Sequence, residues 1–280
     1  MKLSALLSAI GWNQPLSADP EITALTCDSR QAGPGVLFVA LPGARADGQD
    51  FIPAAVKAGA AAVVARRAAN TGETPLILTD DPRAALALLS AAFFGHPARR
   101  LTLVGITGTK GKTTTTHILK AMLEAAGHKT AMVGTVGYFI GGERVADALN
   151  TTPESLDLHR FFAQAVEAGC THLVMEVSSQ ALKLNRTAGI TFDAAVFLNL
   201  SPDHIGGAEH KDFAEYLSCK ATLFRQCRQA AGNVDDSHFE EIFAGCTVPL
   251  TTFGFSEGAQ VRGSGVTPLR GEGLLGSQFT

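Results

Sequence analysis

Between residues 105 and 115 the chain reads Gly-Ile-Thr-Gly-Thr-Lys-Gly-Lys-Thr-Thr-Thr. These residue types in this order suit the holding of a polyphosphate. Glycines such as Gly108 and Gly111 let a backbone approach a ligand closely. Lys112 can neutralise β- and γ-phosphate charge, and the Thr113 hydroxyl can hold Mg²⁺. Thr109, Lys110 and Thr114 complete the loop. Its spacing departs from the usual phosphate-loop pattern, which would put the first glycine at Ile106. A plain glycine-rich strand-to-helix turn is the bland alternative, but it leaves Gly-Lys-Thr-Thr at a helix start unexplained. Further on, Glu176 lies near the end of the strand-like run of Thr171–Ser178. A carboxylate at such a strand end can manage Mg²⁺ beside a phosphate loop.

Such residues need a sheet to position them. Leu101–Thr107 reads as a continuous apolar strand, and Thr113–Gly127 as a helix that stops at glycine. Strands recur at 130–136, 171–178 and 193–201, with helices near 155–169 and 212–229. This alternation predicts an α/β fold with a doubly wound, mostly parallel sheet. Upstream, Gly35–Leu41, 61–65 and 75–80 read as strands. Helices are expected over 51–60 and 81–94, the second capped by Asp81 with Pro82 in its first turn. The first fourteen residues read as an amphipathic helix. The break at Gly95–Arg100 puts a boundary between a domain of residues 1–98 and one of 99–280. Gly276–Thr280 begins what reads as a strand.

Composition bounds the rest. Of 280 residues 46% are hydrophobic and 18% charged, with net charge −3, which fits a core-forming globular chain without a general pull toward nucleic acid or an anionic membrane. Five cysteines without a CxxC pair argue against a disulfide framework or zinc site and fit a reducing cytoplasm. No apolar run reaches the roughly 18 residues of a membrane-spanning helix.

The loop resembles the ATP loop of the Mur ligases, of form GxTGTxGKT/S, which build the peptide of peptidoglycan precursors. Folylpolyglutamate synthetase shares a similar loop. Thr26–Ile52 resembles the uridine-nucleotide-binding first domain of the UDP-N-acetylmuramoyl-tripeptide synthetases. The resemblance gives the UDP end of the substrate to Ser29 and Arg30 in Asp-Ser-Arg, and to Arg45 and Ala46 in Gly43–Gly48. By itself Asp-Ser-Arg reads as a capped turn. The segment Asn150–Ser155 is a helix entry by composition, and by resemblance Asn150, Thr151 and Thr152 bind the sugar-peptide. The family's EVSSH segment and nearby arginine match Glu176, Ser178 and Arg186, with Gln180 in place of histidine. Arg186 alone could be a surface arginine. By resemblance His204 is a Mg²⁺ ligand, Glu176 and Thr113 share the metal site, and Lys220 is carbamylated to support it. From spacing alone Lys220 reads as a solvated charge on an amphipathic helix. Asn233 and Asp236 resemble the family's N-x-DD turn beside the adenine nucleotide, and in isolation read as an Asx turn.

The resemblance therefore implies an ATP- and Mg²⁺-dependent amide ligase. It would add a diamino acid, meso-diaminopimelate or L-lysine, to UDP-MurNAc-L-Ala-D-Glu through an acyl phosphate. Lys112, Glu176, His204 and Lys220 would carry catalysis. It also implies a further C-terminal domain, without which the chain would bind nucleotides but not complete ligation. Three other readings stand beside it: a non-catalytic nucleotide-binding relative, a folylpolyglutamate-synthetase-like ligase, which would lack a uridine site, and a P-loop phosphotransferase such as a kinase, which would need none.

Overall fold

A computed structural model gives the structure of the protein and describes residues 1–43, 46–203, 205–206, 209–271 and 274–278. In chain order the first elements are α1 (Leu3–Leu7), β1 (Ala24–Thr26), β2 (Val36–Val39), α2 (Ile52–Lys57), β3 (Ala62–Ala65), β4 (Leu76–Leu78) and α3 (Pro82–Phe93). The four strands form a parallel sheet in the order β1-β2-β3-β4. Successive side chains of a strand point to opposite faces, so each strand feeds two cores. Leu37, Val39, Ala62 and Val64 join Leu3, Leu6, Leu86 and Leu89 on one side. Phe38, Val63 and Ala65 join Ile52 and Ala55 of α2 on the other. Apolar residues at every strand position are the sequence mark of that two-sided burial. Asp81 caps α3, accepting from the backbone N–H of Arg83 and Ala84, and Pro82 sits in the first turn.

The following elements are β5 (Thr102–Thr107), α4 (Lys112–Ala125), β6 (Thr130–Gly134), β7 (Gly137–Ile140), β8 (Glu143–Ala146), α5 (Ser155–Glu167), β9 (His172–Glu176), α6 (Ser179–Lys183) and β10 (Ala194–Phe197). Then come α7 (Phe213–Ala221), β11 (Ala230–Asn233), α8 (Phe239–Phe243), β12 (Leu250–Gly254), β13 (Val261–Arg262), β14 (Thr267–Gly271) and β15 (Leu274–Gln278). The large sheet runs β13-β12-β11-β10-β5-β9-β6-β7-β8. It is parallel from β13 to β6, and β7 and β8 add an antiparallel edge. Strand order reverses beside β5, the place where open α/β sheets hold ligands at the carboxyl ends of their strands.

The chain divides into two compact units. One holds residues 1–101 with 152–171 and 181–190, and the other holds 102–151, 172–180 and 191–280. Leu156 on α5 explains the first excursion, since it is buried in the same core as Leu86 and Leu89 of α3.

The α/β class and mostly parallel sheet are as expected. One expected helix is not: 212–229 is α7 up to Ala221, followed by a 3₁₀ turn over Thr222–Arg225. The Thr222 hydroxyl donates to the Cys219 carbonyl at 2.6 Å, a local bond that competes with helix continuation. The hairpin of β7 and β8 was not expected, nor were β12 and β13. The strand foreseen at 276–280 lies in β15, paired antiparallel with β14. Its last two residues, Phe279 and Thr280, fall outside the described residues.

Candidate active site

The loop after β5 turns into α4 through Gly111, whose φ of 86° is left-handed and favours glycine. Gly111 is the N-cap and brings no side chain to cap the first-turn N–H groups of α4. The loop is braced from β10. The Asn199 carbonyl accepts from Thr109 N and its side-chain oxygen from Lys110 N, both at 2.9 Å. The Thr109 hydroxyl accepts from Ser201 N at 3.0 Å and pairs with the Tyr216 hydroxyl at 3.1 Å. Asp236 Oδ2 accepts from Leu200 N at 2.8 Å, and Asn233 Nδ2 donates to the Leu198 carbonyl at 3.0 Å. The Asn-x-Asp-Asp turn thus holds the segment that holds the loop. Lys110 and Thr114 are exposed.

Two lysines converge on one carbonyl. Lys112 Nζ donates to Gly108 O at 2.8 Å and to Thr109 O at 3.1 Å, and Lys220 Nζ donates to Gly108 O at 3.0 Å. Lys220 is 2% exposed, so the solvated-helix reading of its spacing fails. Its ammonium lies 4.6 Å from the centroid of the Tyr216 ring, one helical turn earlier on α7. Burial, and then the charge of Lys112, bring the Lys220 pKa down to about 7. Burial also holds Lys112 below the ordinary lysine value, against the opposing pull of Glu176 and Asp203.

Glu176 is 1% exposed at the end of β9. Its Oε1 accepts from the Thr113 hydroxyl at 3.0 Å and from Thr135 N at 2.8 Å, and its Oε2 from the Thr135 hydroxyl at 3.2 Å. The Thr135 hydroxyl meets that of Thr151 at 3.0 Å. Gly134 leaves room for this carboxylate, because a Cβ there would collide with it. Thr113 and Glu176 therefore bring hard oxygen donors together, a set that suits Mg²⁺. Among the described residues no cluster of three or more His, Cys, Asp or Glu could hold a metal. His204 lies outside the described residues.

Of the expected sugar-peptide residues, Asn150 is exposed, Ser178 is half-buried and Thr152 is buried. Arg186 is 8% exposed, not a surface arginine, and its Nη1 donates to the Thr152 carbonyl at 2.9 Å. At the expected uridine end, Asp28, Ser29 and Arg30 line a cavity of about 510 Å³ with Cys27 and Phe51. Arg30 is tied to Asp28 at 2.7 Å, and Asp28 also caps a 3₁₀ turn over Ser29–Gln31, as the capped-turn reading expects. The Arg30 partnership holds the Asp28 carboxyl below its usual range. Ala46 is described and exposed, whereas Arg45 lies outside the described residues. The sequence reading missed Thr135, Asn199 and Tyr216. Tyr216 had one signal, its place four residues before Lys220 on a helix. The other two had none.

Comparison with known proteins gives two family matches. The Mur ligase middle domain matches residues 106–274, and the Mur ligase family catalytic domain matches residues 21–94. A UDP-N-acetylmuramoyl-L-alanyl-D-glutamate–2,6-diaminopimelate ligase of Solibacter usitatus is 42% identical over 271 residues, covering 94% of this chain and 54% of that protein. One of Streptomyces avermitilis is 43% identical over 258 residues, covering 90% and 50%. The chain spans about half the length of the curated relatives it matches. A solved structure of a ligase with the same description superposes with a TM-score of 0.78 at 22% identity, over 95% of this chain and 55% of the other. Folylpolyglutamate synthase of Mycobacterium tuberculosis shares the fold over 71% of this chain and 52% of its own, with a TM-score of 0.56 at 15% identity. Among the described residues no helix is long and apolar enough to cross a membrane.

Proposed function

The chain belongs to the Mur ligase family, and on that premise we propose that it binds ATP at the Gly108–Thr114 loop and serves phosphoryl transfer from ATP to a peptide carboxylate. The carboxylate would be the D-Glu group of UDP-MurNAc-L-Ala-D-Glu, with its uridine end held near Ser29, Arg30, Arg45 and Ala46. Asn150, Thr151, Thr152, Ser178 and Arg186 would hold its sugar-peptide end. The observation that carries the reading is the convergence of Lys112 and Lys220 on the Gly108 carbonyl, at the end of the sheet that also holds Glu176 against Thr113.

The chemistry follows from charge. A carboxylate and a triphosphate repel each other, and Lys112 with the N-terminus of α4 offsets that repulsion. One carboxylate oxygen attacks the γ-phosphorus, the bond to the β-phosphate oxygen breaks, and ADP leaves. The acyl phosphate is then attacked by the amine of a diamino acid, as diaminopimelate is in the relatives' names, and phosphate departs as the amide forms. Thr113 and Glu176, with His204, would hold Mg²⁺, which supplies charge neutralisation at the phosphates. A lysine of pKa about 7 holds a substantial neutral fraction at neutral pH, and a neutral amine can add to CO₂ with release of a proton. The carbamate at Lys220 would replace repulsion toward Lys112 with attraction. Asn233 and Asp236 would support the adenine side. The reading places the chain in the cytoplasm, where ATP and this nucleotide are available.

The test is ATP consumption by the purified chain with Mg²⁺, with and without UDP-MurNAc-L-Ala-D-Glu. Nucleotide-dependent consumption is expected, with its loss in Lys112→Ala. ATP binding without consumption would leave a non-catalytic nucleotide-binding chain, and no ATP binding would remove the loop from the mechanism.

A further inference from the structure

Three segments that carry candidate substrate contacts meet the N-terminal turn of α3. Arg83 Nη2 donates to the Pro42 carbonyl at 2.8 Å, in the turn between β2 and Asp47. Arg83 Nη1 donates to Glu154 Oε2 at 2.9 Å. Asn185 Nδ2 donates to Asp81 Oδ2 at 2.6 Å, which docks the segment carrying Arg186 on the same turn. The same Glu154 Oε2 lies 3.7 Å from Arg186 Nε, while Glu154 Oε1 accepts from Ser155 N at 3.2 Å and starts α5. The side chains of Arg83, Glu154 and Arg186 are 16%, 20% and 10% exposed, so water screens them little. A guanidinium is a planar fork, and fixing one edge fixes where its other N–H groups point. The Thr152 carbonyl fixes one edge of Arg186 by a hydrogen bond, and the Glu154 carboxylate, 3.7 Å from Nε, acts on the other through charge.

We propose that Glu154 is a positioning residue: its carboxylate, anchored by Arg83, sets the Arg186 guanidinium and the Thr152 backbone for the anionic, peptide-bearing end of a uridine nucleotide. The inference rests on the proposed function. Neither Glu154 nor Arg83 belongs to the residues that the family resemblance assigns to substrate. Glu154 acts through Arg186, and its removal leaves the bond from Arg83 to Pro42 in place. The peptide-bearing end of the ligand is therefore sensitive to Glu154, and the uridine end is not.

The experiment is calorimetric titration of the 280-residue chain, as wild type, Glu154→Gln and Glu154→Asp. The probes are UDP and UDP-N-acetylmuramoyl-L-alanyl-D-glutamate. For Glu154→Gln, affinity for the peptide-bearing nucleotide falls about tenfold, less than the loss of a direct member of a desolvated charge pair because Glu154 acts through Arg186, and affinity for UDP stays unchanged. Glu154→Asp keeps the charge and recovers part of the loss. A wild type that binds neither probe sinks the proposed function and this inference with it. A wild type that binds both, with Glu154→Gln indistinguishable from it, sinks the inference alone. Equal losses for both probes, or loss of the fold in both variants, would make Glu154 a fold residue and overturn the positioning role.

Discussion

Around the Gly108 carbonyl the charged groups are enclosed: Glu176 is 1% exposed and Lys220 2%. At the Asp28–Arg30 turn the Arg30 side chain is 87% exposed, although its ion pair to Asp28 is as short as any around Gly108. The two regions hold opposite kinds of charge site. In the first, burial raises the stakes of every hydrogen bond and pulls the pKa of Lys220 down to about 7. In the second, solvent screens the pair, and its charges gain strength only when something covers them. A place where phosphoryl charge is to be moved needs the first arrangement, since groups fixed beforehand need no rearrangement during reaction. A place that only grips a nucleotide can use the second.

The sharpest way to break this contrast is Lys112→Ala. ATP affinity should fall by at least about 100-fold, from loss of a charge-assisted phosphate contact, with circular dichroism unchanged. Lys112 is only half-buried, so its removal leaves the core intact. Wild-type-like ATP affinity would end the claim that Lys112 and Lys220 exist for phosphate.

The next effect is on stability against pH, in CO₂-free buffer. Below pH 7 Lys220 is charged in the folded and unfolded chains, and the fold bears the full cost of a buried ammonium. Between about pH 7 and the ordinary 10.5 the unfolded chain keeps a proton that the folded chain has lost, so stability rises with pH through that window. Lys220→Met should flatten this rise in urea titrations. With ¹³C-labelled bicarbonate, the wild type should show a carbamate carbon signal that the variant lacks. An unaltered pH slope in the variant would mean that Lys220 binds its proton alike in the folded and unfolded chains.

A buried base without an assigned reaction sharpens the same point. His159 on α5 is 1% exposed, and neither ring nitrogen has a hydrogen-bond partner among the described residues. Burial, and then His96, bring its pKa down to about 4. As pH falls from 6.5 to 4 the unfolded chain takes a proton that the folded chain refuses, and stability is lost through that window. His159→Leu should remove this part of the acid loss, on the order of 3 kcal/mol. The measurement is the urea midpoint at pH 7 and pH 4 in both chains. Equal acid losses would place the proton elsewhere.

The parts of this molecule that sequence patterns revealed were those with a local cause. The cap at Asp81, the glycine entry to α4 and the buried runs of β3, β5 and β9 all follow from residue types within a few positions. The parts that stayed hidden depend on contacts across the sheet. Thr135 reads as one threonine within the expected strand 130–136 until β6 is placed beside β9, where it faces Glu176. Asn199 braces the loop because β10 lies next to β5. Lys220 looks solvated on a helical wheel, and only the packing of α7 against the loop buries it. The hairpin of β7 and β8 went unseen because β8 is exposed throughout and shows no apolar alternation.

The smallest expected effect tests the exposed half of the contrast. Arg30→Ala removes a guanidinium that is almost wholly in water and paired to Asp28, and leaves the Asp28 side chain accepting from the backbone N–H of residue 30. Thermal unfolding should therefore be unchanged. The Asp28 carboxyl, now held below its usual range first by the Arg30 side chain, should titrate closer to an ordinary aspartate. Its folded pKa is the depressed one, so its contribution is present above the unfolded value and fades as pH falls through the folded value. The variant should lose that small acid-side contribution and nothing near neutrality. UDP affinity is the quantity that should move, by several-fold and more strongly at low salt, because the guanidinium would be covered by ligand only in the complex. A clear fall in the unfolding midpoint at pH 7 with UDP affinity untouched would reverse the contrast and make the turn a fold element rather than a grip.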